Sequence, residues 1–352
     1  MCVASLCAGM STSAQAGFLN LGPAGDFNVF VFGNNTQTGS DAEGRIAVGG
    51  DADFTGGTSW GGFTIASSLG NNTTNLVVGG DLKNNNHSLK GNAIVGGDMK
   101  WQNPSISGNV AVNGDANFLG GGGEIKGTIS VAGEYKAPNY YQSASNSSTS
   151  LPFSFSEVQS YLTDQSNYLA SLAETGTTVF NYGLILTAAD PHATFVTFHV
   201  TAEQMAAAKH YGLTINAPQG ATVVVNVSGT ATSMESMGIT LNGVDKQHVL
   251  YNFSEATSLT IASIGIQGTI LAPLATVQFN SGNIDGTLIV NNLSGTGESH
   301  NFLFQGSLPP LPVPDPVPTN LPPVVPEPSS LALAAFGLVA IGGRYLRRRQ
   351  AA

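Results

Sequence analysis

The chain has 352 residues, of which only 10% are charged, 44 are glycine and 17 are proline, and its net charge is −10. A hydrophobic content of 41% excludes global disorder, and so little charge excludes a long solvated helix or coiled coil. The acidic body lacks the basic stripe that a nucleic-acid backbone requires, so we expect no nucleic-acid partner. The composition predicts a folded protein that is rich in strands.

The N-terminus has the features of an export signal. Residues 2–10 are mostly small or apolar, and Ala14 and Ala16 form the small-x-small pattern that signal peptidase accepts. This pattern predicts a signal peptide over residues 1–16, with a disordered N-terminus as the alternative. No Lys or Arg precedes the apolar stretch, so either the natural start lies upstream of Met1 or the signal is a weak one.

The two cysteines, Cys2 and Cys7, both fall within the predicted signal peptide. After its removal the protein is expected to have no disulfide, no thiol nucleophile and no Cys-based metal site. An exported protein without cysteine is the simplest interpretation.

A short phrase recurs in the first part of the body, in which an apolar pair and one or two small residues precede an acid. The recurring acids are Asp51, Asp81, Asp98, Asp115 and Glu134. Their intervals of 30, 17, 17 and 19 residues fit the coils of a β-solenoid, with an insertion such as residues 56–75 in the first interval. Each acid is expected to bond backbone amides at a glycine corner, and a calcium ladder is the alternative.

The same phrase predicts a column of core residues. One valine precedes each corner, and the five valines should point inward at one position of successive coils. They are Val48, Val78, Val95, Val112 and Val131.

One strong helix is predicted in the middle of the chain. Ser154 and Glu157 have the spacing of a capping box at its start, and Gly176 is expected to end it. Five apolar residues fall on one stripe: Phe155, Val158, Leu162, Leu169 and Leu172. Such a stripe predicts packing along the flank of the solenoid, with a binding site for a second protein as the alternative.

The solenoid repeat returns late in the chain. Residues 268–273 and 286–291 repeat each other at an interval of 18 residues, and residues 275–279 between them alternate like a strand. The chain is therefore expected to leave the solenoid and come back to it. A shorter helix is predicted over residues 202–209, and a strand over residues 221–227.

The body resembles the choice-of-anchor A domain of bacterial surface proteins, a relative of the ice-binding-like adhesive solenoids. The segments that carry the likeness are residues 27–33, 40–50, 268–273, 282–287 and 298–301. The resemblance implies a mainly β, discontinuous, single-domain β-solenoid over residues 17–305, with one long flanking helix. Members of this family pair one exported domain with different anchoring tails.

The C-terminus is tripartite. Residues 306–325 form a proline-rich spacer that is not expected to pack, and residues 329–343 are uncharged. Fifteen helical residues span only about 22 Å, which is marginal for a permanent membrane span. The arginines beyond them should stay on the cytoplasmic side and leave the body outside.

This tail, residues 326–352, resembles the PEP-CTERM sorting signal of Gram-negative bacteria, with an ordinary tail anchor as the alternative. Its motif residues are Pro326, Glu327, Pro328, Arg344, Arg347, Arg348 and Arg349. The resemblance implies recognition and cleavage by an exosortase, after transient membrane anchoring through residues 329–343.

Few residues are arranged for catalysis. The histidines lack metal-ligand spacing, and no phosphate-binding, dinucleotide or nucleophile-elbow motif is present, so no metal site and no cofactor are expected. Asp41 and Glu43 are two residues apart, and on a strand they would point to the same face, where they could act as a carboxylate pair as in glycoside cleavage. A salt bridge from Arg45 to one of them is the favoured structural interpretation.

Two kinds of ligand remain to be considered. Ice binding requires a regular column of small residues such as Thr, and the positions after the repeated acids vary instead. Four aromatic residues, Trp60, Trp101, Tyr140 and Tyr141, can stack on sugars if they are exposed.

The sequence thus predicts a non-enzymatic, exported protein that is adhesive or structural in a polysaccharide-rich envelope or biofilm. Its expected location is the cell envelope, outer surface or extracellular matrix of a Gram-negative bacterium. Its expected partners are signal peptidase, an exosortase and an exopolysaccharide or another matrix polymer. A polysaccharide-cleaving enzyme on the same solenoid is the alternative, and ice binding ranks third.

Overall fold

The computed structural model describes residues 20–56 and 63–312. The first half of this part folds into coils of short parallel strands, with one strand of each coil on each of three faces. Face A comprises β1 (Val29–Val31), β4 (Ile46–Val48), β7 (Thr74–Val78), β10 (Asn92–Val95), β13 (Val110–Val112) and β16 (Ile129–Val131). Face B comprises β2 (Asn35–Gln37), β5 (Ala52–Phe54), β8 (Leu82–Asn85), β11 (Met99–Gln102), β14 (Ala116–Leu119) and β17 (Tyr135–Lys136). Face C comprises β3 (Asp41–Ala42), β6 (Thr64–Ile65), β9 (Ser88–Leu89), β12 (Ser105–Ile106) and β15 (Glu124–Ile125).

The predicted valine column is confirmed. Val48 pairs with Val78, Val78 with Val95, Val95 with Val112 and Val112 with Val131, and all five are buried. The column arises because each apolar strand precedes its corner by the same number of residues, so coils can stack only in this register.

The first interval between acids is longer than a coil, but it is not simply an insertion. β6 lies within it and pairs with β3 on one side and with β9 on the other. The interval therefore supplies face C of its own coil, as the shorter intervals do.

The second half of the chain contains two helices and the remaining strands. They are α1 (Phe155–Ser171), β18 (Gly176–Phe180), β19 (Leu184–Ala188), β20 (Phe195–Thr201), α2 (Ala202–Ala207), β21 (Leu213–Asn216), β22 (Thr222–Ser228), β23 (Ala231–Glu235), β24 (Ile239–Asn242), β25 (Val249–Asn252), β26 (Ser258–Gln267), β27 (Thr269–Asp285), β28 (Leu288–Gly295) and β29 (Glu298–His300). Short 3-10 turns cover Gly22–Asp26 and Lys246–His248. β20, β22, β25, β27 and β28 continue face A, whereas β18, β19, β21 and β24 form a separate sheet.

The two halves join into one continuous stack, so the predicted discontinuous solenoid is confirmed. β28, near the C-terminal end of the body, pairs in parallel with β1 and β2, and β29 pairs with β3. The last coil in the chain is therefore the spatial neighbour of the first. As predicted, the chain leaves the solenoid after the early coils and returns to it.

Helix α1 covers the outer side of face A, as its apolar stripe predicted. Val158, Leu162 and Leu169 are fully buried in a cluster with outward residues of face A such as Phe30 and Leu250. From β22 round to β7, face A is therefore buried on both sides, which explains why these strands are largely apolar, whereas the outward residues of β10, β13 and β16 are half-buried.

Two buried amides also attach α1 to the solenoid. Asn226 donates from Nδ2 to the carbonyl of Leu169 at 2.9 Å, and Asn252 donates to that of Ser166 at 2.8 Å. Asn252 donates to Asn226 as well, so the two side chains satisfy each other in the core.

The predicted end of the helix is wrong. The Ser154 side chain caps the start, accepting from the amide of Glu157, but α1 ends at Ser171 and Gly176 begins β18. The chain is already extended at Leu172 because the following segment is tied to β20, for example by the amide of Thr175, which donates to the carbonyl of Thr197. Tertiary contacts end this helix before any glycine is reached.

The first residues of the predicted spacer pack on the body, contrary to expectation. The amide of Ser307 donates to Thr222 Oγ1, that of Leu308 donates to Asn20 Oδ1, and Leu308 is buried. The compact unit extends to Leu311. The prolines do not prevent this packing, because the amides that precede Pro309 find acceptors and the carbonyl of Pro309 accepts from Gln165 Nε2 at 2.9 Å. Within the described residues, no helix is both long enough and apolar enough to cross a membrane.

Candidate functional site

The repeated acids form a hydrogen-bonded ladder along the corner between faces A and B. Oδ1 of each Asp accepts the backbone amide of the acid in the next coil, at 2.9 Å from Asp51 to Asp81 and 2.7 Å from Asp115 to Glu134. The intermediate steps, Asp81 to Asp98 and Asp98 to Asp115, are both 2.8 Å. The predicted role of these acids as corner acceptors is confirmed.

The geometry of the corner requires glycine beside each acid and allows asparagine in place of the acid. A Cβ on Gly80 would lie 2.3 Å from Asp51 Oδ1, so a larger residue would break the ladder. Nearer the junction of the two halves the same position is held by asparagines, where Asn34 Oδ1 accepts from Asp51 and Asn292 Oδ1 accepts from Asn34. The ladder therefore requires a carbonyl-type oxygen but not a charge.

The calcium alternative gains no geometric support. Within the described ranges, no group of three or more His, Cys, Asp or Glu side chains is arranged to hold a metal ion. Each ladder Asp uses one carboxylate oxygen for a backbone amide, which limits the oxygens it can offer to a cation.

A column of lysines runs beside the acids on face B, two residues further along the chain. Lys83 pairs in register with Lys100, Lys100 with Asn117, and Asn117 with Lys136. The two columns border a groove of about 280 Å³. We call this the charged groove; its acidic wall is Asp81, Asp98, Asp115 and Glu134, its opposite wall is Lys83, Lys100, Asn117 and Lys136, and Leu82, Met99 and Ala116 also line it.

The lysines differ in their partners. Lys136 Nζ lies 2.6 Å from Glu134 Oε2, and this hydrogen bond raises the pKa of Lys136. Lys83 lies 4.0 Å from Asp53 in the neighbouring coil. This column departs from the expectation that the body offers no basic stripe. Its signal, a lysine two residues after an acid, was present in the repeats but acquired meaning only when the coils were stacked.

The rest of face B presents mixed polar side chains. One column consists of Ser258, Thr276 and Asn292, and the next one runs through Thr260, Gln278, Ser294 and Thr36. Such alternation of hydroxyl and amide groups differs from the uniform column of small residues expected of an ice-binding face.

Of the aromatics predicted to stack on sugars, only Tyr140 is well exposed in the described residues, at 54%. The prediction for Trp101 is wrong, because Trp101 is fully buried, and Tyr141 is also buried. Trp101 points inward because its strand position shares the parity of the core residue Met99, whereas Tyr141 follows β17 and packs against Phe118 with ring centroids 5.9 Å apart. Trp60 lies outside the described residues.

An exposed aromatic group that the sequence analysis missed lies at the β18–β19 hairpin. Tyr182 is 88% exposed, and the rings of Phe180 and Tyr211 meet edge to face with centroids 6.2 Å apart. Asn181 and Gly183, close together between two apolar runs, are typical of a hairpin turn and could have indicated this exposure.

The predicted carboxylate constellation is only partly present. Asp41 forms a side-chain hydrogen bond with Glu298, on the adjacent strand of face C, rather than an ion pair with Arg45. Glu43 accepts the backbone amide of Asn301 at 3.0 Å. The predicted salt bridge is wrong: among the described residues no ion pair within 4.0 Å involves Arg45, because both carboxylates turn toward β29.

Burial raises the pKa of Asp41 to about 6, and the hydrogen bond with Glu298 and the nearby negative charges add to this effect. His300 lies beside the pair, with Nε2 at 3.7 Å from Glu298 Oε1 and Nδ1 at 2.7 Å from Asp285 Oδ1. Asp285 is partly buried, which raises the pKa of its carboxyl, but hydrogen bonds from Lys246 and His300 outweigh burial and lower it. The cluster thus pairs one carboxyl that is easily protonated with one that stays ionised.

Comparisons with known proteins identify the family of the body and the type of its C-terminal motif. Residues 20–301 match the model of an ice-binding-like adhesive domain, and the chain belongs to that family. Residues 324–349 match the PEP-CTERM protein-sorting motif. The resemblances to an ice-binding-like adhesive domain and to the PEP-CTERM signal are therefore confirmed. The matched families are adhesive or ice-binding-like and not enzymatic.

Two solved structures are similar over most of the chain. An ice-binding protein from an Antarctic Flavobacteriaceae bacterium is 13% identical, with 85% of this chain and 100% of that chain covered and a TM-score of 0.31. An ice-binding protein from an Arctic yeast is 10% identical, with 85% and 98% covered and a TM-score of 0.30. No curated protein matches the chain.

The sorting motif implies export to the envelope or surface of a Gram-negative bacterium and processing by an exosortase. The residues predicted to carry both processing steps lie outside the described residues. They are Ala14, Ala16, Pro326, Glu327, Pro328, Arg344, Arg347, Arg348 and Arg349.

Proposed function

We propose that this protein is a non-enzymatic adhesin or structural component of a polysaccharide-rich envelope or biofilm. The observation that carries the proposal is the presence of an adhesive domain and a protein-sorting motif on one chain. An adhesive domain acts where it meets a surface or polymer, and the sorting motif accounts for its delivery to that place.

Processing occurs at both ends in this proposal. Signal peptidase cleaves after Ala16, residues 329–343 hold the chain in the inner membrane, and an exosortase cleaves at the Pro-Glu-Pro motif. The released body is a choice-of-anchor A-like domain over residues 17–305. It is retained at the outer surface or in the matrix through its ligand, an exopolysaccharide or another matrix polymer.

The coils provide a rigid support for such a ligand. Corner ladders join successive coils, and face B presents hydroxyl, amide and charged groups at fixed intervals of about 4.8 Å. Repeated polar groups at regular spacing suit a polymer with repeated hydroxyl groups better than a single small molecule.

A retention assay tests the proposal. Protein recovered from the host envelope is mixed with the host's own exopolysaccharide, and co-sedimentation and the release of reducing ends or unsaturated products are measured. We expect retention without release. If the protein binds neither this polymer nor any of the common matrix polymers, the proposed adhesion is contradicted.

The second candidate function is cleavage of such a polymer. The observation in its favour is the Asp41–Glu298 pair, since a carboxyl with a pKa of about 6 can act as a general acid near neutral pH. Product release that disappears in the variant Asp41→Asn would establish this function in place of the first.

A further inference from the structure

The charged groove carries its two signs in separate, parallel columns. Each coil contributes an acid at the corner and, two residues later, a lysine or Asn117 on face B. Coils repeat at about 4.8 Å, and residues two apart on a strand are separated by about 7 Å. The result is a strip of negative charge beside a strip of positive charge, both parallel to the solenoid axis.

Lys136 and Glu134 pair within one molecule at 2.6 Å, but the charge of the other coils is not neutralised in this way. The side chains of Lys83 and Asp53 are 55% and 40% exposed and lie 4.0 Å apart, which is a weak contact. Among the described residues Lys100 has no ion pair within 4.0 Å. The acids of the wall follow one another at the spacing of the coils and repel each other. A partner that offered the opposite pattern would relieve this repulsion.

The geometry points to a second copy of this chain as that partner. A twofold axis parallel to the solenoid, placed between the columns, brings the acidic column of each copy opposite the lysine column of the other. Coils of equal height then face each other, with Lys83 opposite Asp81 and Lys100 opposite Asp98. Lys136 and Glu134 also face each other across the axis, although each already has a partner within its own copy. An axis perpendicular to the columns would place like charges together, so the structure selects a parallel pair.

Other partners of simple charge match only half of this surface. A polyanion attracted by the lysines is repelled by the acidic column about 7 Å away. A polycation attracted by the acids is repelled by the lysines in the same way. Only a partner with both columns at the same separation satisfies both, and this chain has that pattern.

The contact is expected to be weak for one pair of molecules, because exposed ion pairs contribute little and are screened by salt. Many copies delivered to one surface would associate by avidity. The partner is not the polysaccharide of the proposed function, and self-association does not depend on polysaccharide binding.

Sedimentation of the processed protein at increasing concentration tests the inference. Between about 0.1 M and about 1 M salt, where the Debye length falls from about 10 Å to about 3 Å, we expect self-association to weaken tenfold or more. Lys100→Glu should abolish it, whereas Lys126→Glu, the same charge change outside the groove, should leave it unchanged. Association that resists salt, or equal effects of both variants, would overturn the inference.

A complementation experiment separates charge from folding. The triple variant Asp81→Asn, Asp98→Asn, Asp115→Asn keeps the corner acceptor that Asn34 and Asn292 already provide, and it should not self-associate. The triple variant Lys83→Glu, Lys100→Glu, Lys136→Glu should not self-associate either. Mixed together, the two should associate, because the acids of the second variant face the lysines of the first. A mixture that stays monomeric would contradict the parallel pair.

The same variants are tested for retention on the host's exopolysaccharide. Loss of self-association with polysaccharide binding intact supports the inference and leaves the proposed function standing. Wild-type protein that binds the polymer but never self-associates refutes the inference alone. Wild-type protein that self-associates but binds no polymer refutes the proposed polysaccharide adhesion alone.

Discussion

Asp41 and Glu298 lie side by side on neighbouring parallel strands, because Ala42 pairs in register with Ser299. The contact stands where the first coil of the chain meets the last. Asn28 closes the same junction from inside, since its Nδ2 donates to the carbonyls of Gly286 at 2.8 Å and His300 at 2.7 Å. Two carboxyls that share a hydrogen bond at this junction make the stability of the stack depend on pH.

Asp41→Asn is expected to stabilise the protein above pH 6. Burial raises the pKa of Asp41 from 3.8 to about 6, so its contribution to stability is fully present below about pH 4 and is lost as the pH rises through 6. Asparagine keeps a hydrogen-bonding group beside Glu298 without the second charge. The midpoints of thermal unfolding of variant and wild type should agree near pH 4 and diverge up to pH 7. A lower midpoint for the variant at pH 7 would contradict this account.

Asp285→Asn should behave in the opposite way and serves as the matched comparison. Hydrogen bonds from Lys246 and His300 lower the pKa of Asp285 despite its burial, so its stabilising effect is present above pH 3.8 and is lost as the pH falls below that value. The variant should melt below the wild type at pH 7, and the difference should shrink in strong acid. A constant difference at all pH values would assign the loss to packing instead.

Leu162→Ala tests whether α1 and the solenoid form one cooperative unit. Leu162 is fully buried against face A, so its truncation should lower the free energy of unfolding by about 2–5 kcal/mol. Denaturant unfolding should still show one transition at a lower midpoint. The control is Asn167→Ala on the exposed side of α1, which should change the midpoint little. An unchanged midpoint for Leu162→Ala would mean that the helix does not belong to the folding unit.

Some of these features were readable from the sequence and others were not. The coil period could be predicted because the apolar strand, the glycine corner and the acid recur together. The inward position of Trp101 could also have been read, since it alternates with Lys100 in step with Met99. The contact of Asp41 with Glu298 could not be predicted from the sequence, because no local pattern sets the register between strands from opposite ends of the body. The end of α1 could not be predicted either, because contacts of the following segment with β20 determine it.

Val95→Asp tests the core column. Val95 is fully buried between Val78 and Val112, so a carboxylate there has no partner and should cost several kcal/mol. Gln102→Asp places the same charge on the exposed side of the same coil and should be tolerated. The circular dichroism and melting midpoints of the two variants decide the matter. Equal stability of both would refute the inward column.

Glu327→Ala tests the sorting step, which rests on the motif match over residues 324–349. If an exosortase reads the Pro-Glu-Pro motif, removal of its only charge should leave the full-length chain in the membrane fraction. Wild-type protein should lose the arginine tail and appear lighter in the envelope or the medium. Glu124→Ala, at an exposed position of the body, removes the same charge without touching the motif and should be processed normally. Mass spectrometry of the C-terminus separates the two, and wild-type protein that retains Arg347 in an exosortase-containing host would contradict the sorting proposal. An equal block in both variants would instead point to misfolding during export, because the two glutamates share nothing else that a protease could recognise.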